Sequence, residues 1–126
     1  MDTDDFTSET LSLNLAVIGG VCSSPADVRT LTSGDALAQL QVTTRVDGEA
    51  RSVPVSVLKP PGWVEALDTG DEVLVFGQVR RRFFRAAGTT ASRVEIEAEV
   101  ITRLHDRRRR ASVRRRIDAR LLALDE

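Results

Sequence analysis

The stretch Trp63-Val64-Glu65-Ala66-Leu67-Asp68-Thr69-Gly70-Asp71-Glu72-Val73-Leu74-Val75-Phe76-Gly77-Gln78-Val79-Arg80-Arg81-Arg82-Phe83-Phe84 decides the fold. Its first five residues make about one helical turn, with Trp63 meeting Leu67 at i,i+4, and Asp68-Thr69-Gly70-Asp71 ends it. From Val73 the period becomes two. Val73, Val75, Gly77, Val79, Arg81 and Phe83 share one face of a strand; Leu74, Phe76, Gln78, Arg80, Arg82 and Phe84 share the other. The valines of the first face are expected to be core. The second face interleaves arginines with an aromatic ring.

Upstream lie three more strand regions. Leu11, Leu13, Leu15 and Val17 alternate with Ser12, Asn14 and Ala16, and the run enters Gly19-Gly20, where a bulge or sharp bend is expected. Ser23-Ser24-Pro25 breaks it. The second region is interrupted by Ser33-Gly34-Asp35 and alternates at Ala36, Ala38, Leu40, Val42 and Thr44 before the hairpin turn Asp47-Gly48. The third places Val53, Val55 and Val57 inward, with Pro54 at an edge or bulged position, and Lys59-Pro60-Pro61-Gly62 stops it. Downstream, a turn around Ala86-Ala87-Gly88 leads to a last strand with Val94, Ile96, Ala98 and Val100 inward and Glu95, Glu97 and Glu99 facing water. The expected fold is all-β: a five-stranded Greek-key OB-fold barrel with a short helix between strands 3 and 4. Periodicity alone fits any small antiparallel barrel or sandwich, and the place of the helix selects this one. Residues 1–10 are expected to be a disordered acidic lead-in, 11–104 the barrel, and 105–126 an Arg-rich C-terminal helix or tail with the stripe Val113, Ile117, Leu121, Leu124.

The formal charge of −1 conceals a strong asymmetry. Residues 1–79 carry four basic and twelve acidic side chains, a balance of −8; residues 80–116 carry thirteen arginines and four acids, a balance of +9. Such a belt points to an anionic partner. The single cysteine, Cys22, excludes an internal disulfide framework, and the single histidine, His105, excludes a His-rich metal cluster. No carboxylate pair or phosphate loop appears, so the chain is expected to be non-enzymatic, with no cofactor, no metal and no small-molecule substrate. No apolar stretch approaches the roughly 20 residues a bilayer span needs, and the acidic N-terminus lacks the order of a signal peptide. A cytoplasmic, nucleoid-associated protein is expected.

Several of these stretches resemble the bacterial single-stranded DNA-binding protein (SSB) family. Asn14-Leu15-Ala16-Val17-Ile18-Gly19-Gly20-Val21 resembles its first strand, and Pro25-Ala26-Asp27-Val28-Arg29 with Ser33-Gly34 its next bend. Leu67 to Phe84 is similar to the family's "L-x-x-G-x-x-V-x-V-x-G-x-L-x-x-R-x-W", and Val94 to Val100 to its closing strand. The likeness covers residues 11–104. It implies an OB-fold, assembled as a homo-oligomer (dimer or tetramer), that binds single-stranded DNA in replication, recombination or repair. Phe84 falls where the family has a base-stacking Trp. Residues 45–58 hold no aromatic, and an arginine-rich segment replaces the family's acidic tail.

Binding a single strand without sequence preference needs cations along the phosphates and flat side chains under the bases. The candidate site is Phe84 with Arg80 and Arg82, a phosphate track extended by Arg45, Arg51 and Lys59, Arg93 across the last turn, and Arg108 and Arg109 in the tail. The competing structural roles are definite. Phe84 can cap the barrel or fill a subunit interface, Arg80 and Arg82 can pair with Glu95 or Glu97, and Trp63 is expected in the core. The arginine tail can be a nucleic-acid arm, a helix whose stripe packs on another subunit, or a disordered tail; a helix combining the first two is favoured, and a membrane-surface helix would lack aromatic anchors. Two rival functions share these residues: an OB-like protein-interaction or assembly module, and an RNA-binding protein.

Overall fold

The computed structural model describes residues 11–125, and the lead-in expected over residues 1–10 lies outside them. Six strands form one sheet: β1 (Ala16–Cys22), β2 (Asp27–Thr30), β3 (Ala36–Val46), β4 (Glu49–Leu58), β5 (Glu72–Ala86) and β6 (Thr89–Arg103). Five of them close into a barrel. β1 pairs antiparallel with β5 and, through Val21 and Cys22, with β3; β3 pairs with β4, β4 runs parallel to β6, and β6 returns to β5. This is the connectivity of an OB-like barrel. β2 pairs only with β3 and stands outside the ring. The second strand region is therefore two strands folded back on each other, across a turn in which Gly34 takes φ 93°.

Between β4 and β5 there is only a four-residue helical turn, α1 (Gly62–Glu65), preceded by the extended Pro61. It is small because Pro60-Pro61 cannot extend it backward and Gly70 (φ 94°) follows closely. Its Val64 and the following Leu67 are buried, and Trp63 packs against the same core under the Arg103 guanidinium, 5.0 Å from the ring centroid. The register explains the rest of the core. Ala38 faces Val57, Leu40 faces Val55 and Val42 faces Val53, so each inward residue of β3 meets an inward residue of β4.

Two glycines permit closure. A Cβ at Gly20 would overlap the Thr43 carbonyl where β1 leaves β5 for β3, and one at Gly77 would overlap the Glu97 carbonyl. No bulge occurs at Gly19-Gly20, where the pairing with β5 runs without a break. The irregularity lies instead between Phe76 and Gly77: Phe76 pairs with Val100 and Gly77 with Ala98, which leaves Glu99 as the extra residue of a bulge in β6.

That bulge corrects the expected pattern of the last strand. Ile96 and Ala98 face the core, but after Glu99 the inward residue is Ile101, and Val100 lies beside Phe76 on the outer face. Glu95 is fully buried instead of facing water. Val79 and Val94, expected as core, are 46% and 48% exposed, because the β5–β6 hairpin projects past the end of the barrel and neither of its faces is covered throughout. β1 likewise begins at Ala16, later than the alternation from Leu11 suggests. The Asn14 side chain explains this: its amide donates to the Val79 carbonyl at 2.7 Å and accepts from the Val79 N–H at 2.8 Å, replacing backbone strand pairing there.

The chain ends in α2 (Arg107–Leu122), N-capped by Asp106, whose carboxylate accepts the Arg109 N–H at 3.0 Å. The first half of the stripe packs on the chain's own barrel. Val113 is buried and Ile117 half-buried, while Leu121 and Leu124 remain exposed. Phe76 lies underneath, with the guanidinium carbons of Arg120 and Arg116 5.3 and 5.9 Å from its ring centroid. Both arginines pair with Glu99, at 3.1 and 3.8 Å. Among the described residues no helix is long and apolar enough to cross a membrane.

Candidate nucleic-acid interface

The β5–β6 hairpin closes on the two-residue turn Ala87-Gly88, both with positive φ, which matches the twist of the flanking strands. Its far half therefore extends as a regular ribbon and faces β2 and the start of β3. A groove of about 300 Å³ opens between them, lined by Arg82, Phe83, Phe84, Arg85 and Arg93 on one side and Arg29, Leu31, Leu37 and Gln39 on the other. A second hollow of about 210 Å³ continues it past Ser24, Pro25, Asp27 and Gln41, sharing Arg29, Gln39 and Arg93. The result is a track with four guanidinium groups and two phenylalanine rings, of which Phe84 is 41% and Phe83 68% exposed.

Glu95 organises the cations. It accepts both Nε (3.0 Å) and an Nη (3.2 Å) of Arg82, and Arg93 Nε lies 3.7 Å away. Burial alone would push its carboxyl up; hydrogen bonds from Arg82 and Ser56, with the charges of Arg82 and Arg93, outweigh that and hold it below its ordinary value. Glu95 thus stays ionised and anchors two arginines at the groove. Arg82 spends two of its five donors on this fork, whereas the buried Nε of Arg93 has no hydrogen-bond partner among the described residues. Among the described residues Arg29 holds a single, solvent-exposed pair, with Asp27 at 3.4 Å, and Arg85 donates to the Gly88 carbonyl at 3.3 Å. Such exposed contacts are weak and exchange readily for a phosphate.

Of the residues singled out in the sequence, the fold brings Arg82, Phe84 and Arg93 together. Arg80 shares their strand face but is ion-paired to Glu97 and does not line the groove. Arg45 and Arg51 lie on the β3–β4 hairpin, where Arg51 pairs with Glu49. Lys59 ends β4 in a left-handed conformation (φ 51°) and shares a different hollow with Arg109 and Arg116 beside α2. Arg108 is exposed on α2 and lines no part of the groove, so it stands outside the single-strand site expected from the sequence. Three of the charged and aromatic groove residues escape a reading of the sequence: Arg29, Phe83 and Arg85. Strand alternation assigns Phe83 to the core side, and only the hairpin's projection beyond the barrel exposes it. Arg29 sits in the bend that begins at Pro25, but nothing local shows that β2 folds under the hairpin.

Compared with known proteins, the chain matches no family model and no curated protein.

Proposed function

We propose that the chain binds single-stranded DNA with little sequence preference, as a divergent SSB-like protein, through the groove between the β5–β6 hairpin and β2–β3. The observation that carries this reading is the coincidence of Arg29, Arg82, Arg85 and Arg93 with the exposed rings of Phe83 and Phe84 in one continuous track. Cations along a backbone path and rings for bases to stack on are what such binding needs. No groove residue is arranged to read base edges by a bidentate fork on a rigid helix, so affinity follows charge and stacking more than sequence. The exposed apolar side chains of Leu13, Val17 and Val21, along and just before β1, support a homo-oligomer. A role in replication, recombination or repair in the cytoplasm, without enzymatic activity, follows from the SSB resemblance.

The test is fluorescence anisotropy with a labelled oligo-dT strand, with oligo-U and a duplex as competitors. Preference for the DNA strand is the expected result. Preference for oligo-U moves the assignment to RNA. No binding at low salt rejects the groove and favours a protein-interaction module, the reading that the aromatic-free β3–β4 hairpin supports.

A further inference from the structure

We infer that α2 is a second nucleic-acid surface, separate from the groove, which takes the phosphate backbone of a duplex while the barrel holds a single strand; one chain would then join the two. This rests on the proposed single-strand groove.

The charge on α2 is unusual for a helix that only packs. Arg107–Leu122 holds eight arginines and one aspartate, a charge of +7. Arg107 to Arg110 fill the first turn, the end where the helix dipole is already positive and acidic residues belong. Folding gains nothing from that placement, and an external polyanion would relieve it. The helix divides its arginines by face. Arg116 and Arg120 turn toward the barrel, onto Phe76 and Glu99. Arg107, Arg108, Arg114 and Arg115 lie on the other side at helical spacing and are exposed. Among the described residues their only ion pair is Arg114 with Asp118, at 3.8 Å on the same helix.

This face does not continue the groove. Phe76, beneath α2, and Arg82, in the groove, are six residues apart on β5, about 20 Å at roughly 3.3 Å per residue. The belt between them is neutralised: Arg80 pairs with Glu97, and Arg116 and Arg120 with Glu99. A single strand following the cations would meet two paired glutamates in the middle.

The chemistry of the two surfaces also differs. α2 carries no aromatic residue, so it offers unpaired bases nothing to stack on. It presents fixed cations along about 12 Å of rigid helix, from Arg107 to Arg115 at roughly 1.5 Å per residue. The closest match is the dense, rigid phosphate array of a duplex, with one charge per roughly 1.7 Å of axis.

The experiment immobilises oligo-dT on beads, adds the full chain, and measures retention of a labelled blunt duplex. Wild type is expected to retain it. The variant R107Q/R108Q/R114Q/R115Q should bind oligo-dT as before and fall at least about tenfold in duplex retention. Its salt slope for duplex should be shallower by about 3–4, near 0.9 for each phosphate no longer neutralised. All four positions are exposed, and unchanged helicity by circular dichroism confirms the fold of the variant. Phe84→Ala should bind duplex in solution normally and fail to tether it to the beads. An oligomer bridging through grooves alone would not retain a duplex. Wild type that binds oligo-dT but retains no duplex, a duplex that displaces oligo-dT, or full retention by the four-glutamine variant overturns the inference and leaves the groove standing. Failure to bind oligo-dT at all overturns both.

Discussion

Phe84→Ala separates stacking from charge in the proposed groove. The ring is 41% exposed and lies outside the core, so its removal leaves no cavity and the fold should persist. A base stacked on an aromatic contributes roughly 1–3 kcal/mol, so the variant should bind oligo-dT about 5- to 150-fold more weakly at fixed salt. The arginines still meet the phosphates, and the slope of log affinity against log salt should not change. Arg29→Ala makes the opposite cut. Its pair with Asp27 is exposed and contributes little to stability, but one phosphate fewer neutralised should make the slope shallower by about 0.7. With four groove arginines, the whole wild-type slope for the single strand should approach about −3. Anisotropy titrations of wild type, both single variants and the double across a series of NaCl concentrations decide it. Affinity of Phe84→Ala within about twofold of wild type, or a slope that responds to the ring and not to Arg29, refutes the geometry.

Three further outcomes follow from the packing. Glu95→Gln should lower stability at neutral pH by roughly 1.5–3 kcal/mol, because the part-buried Arg82 fork loses its charged acceptor. The Glu95 carboxyl sits below its unfolded value in the native protein, so its contribution is fully present above the ordinary carboxylate range and is lost as pH falls through the lower folded value. Urea midpoints at neutral and acid pH should therefore differ less in the variant than in wild type, and an equal difference counts against the assignment. Gly77→Ala should cost at least about 3 kcal/mol or abolish folding, since its Cβ would strike the Glu97 carbonyl in the bulge; a wild-type melting temperature would contradict that. Ala87→Gly should stabilise the chain by up to about 1 kcal/mol, because Ala87 has φ 51° in the turn, and a fall in melting temperature would be the contrary result.

How much of the molecule is legible in its sequence depends on the range of the interaction. The paired runs of β3 and β4 and the turns at Asp47-Gly48 and Ala87-Gly88 are local, written in period-two alternation and in the residues that tolerate positive φ. So is the concentration of arginines after Val79. Alternation also puts Arg82 and Phe84 on one face, and the groove contains both. What the pattern cannot convey is where the core ends. A strand alternates whether or not a barrel lies beneath it, so Val79, Phe83 and Val94 look like core until the hairpin is seen to project.

The bulge at Glu99 is the second limit. One extra residue reverses which side of β6 faces inward, turning Val100 outward and Ile101 inward, and no residue in the run announces it. The cause is across the sheet, at Gly77, where two backbones approach too closely for a Cβ. The fate of the charges is set at the same range. Whether an arginine meets a phosphate or a carboxylate depends on a partner seventeen or more residues away: Glu97 for Arg80, Glu99 for Arg120. By itself the sequence determined a small β-barrel with a basic, aromatic hairpin and an arginine-rich end. The tertiary structure alone decided which arginines are committed to glutamates and which remain available, because burial and cross-strand register belong to the assembled sheet and not to any one strand.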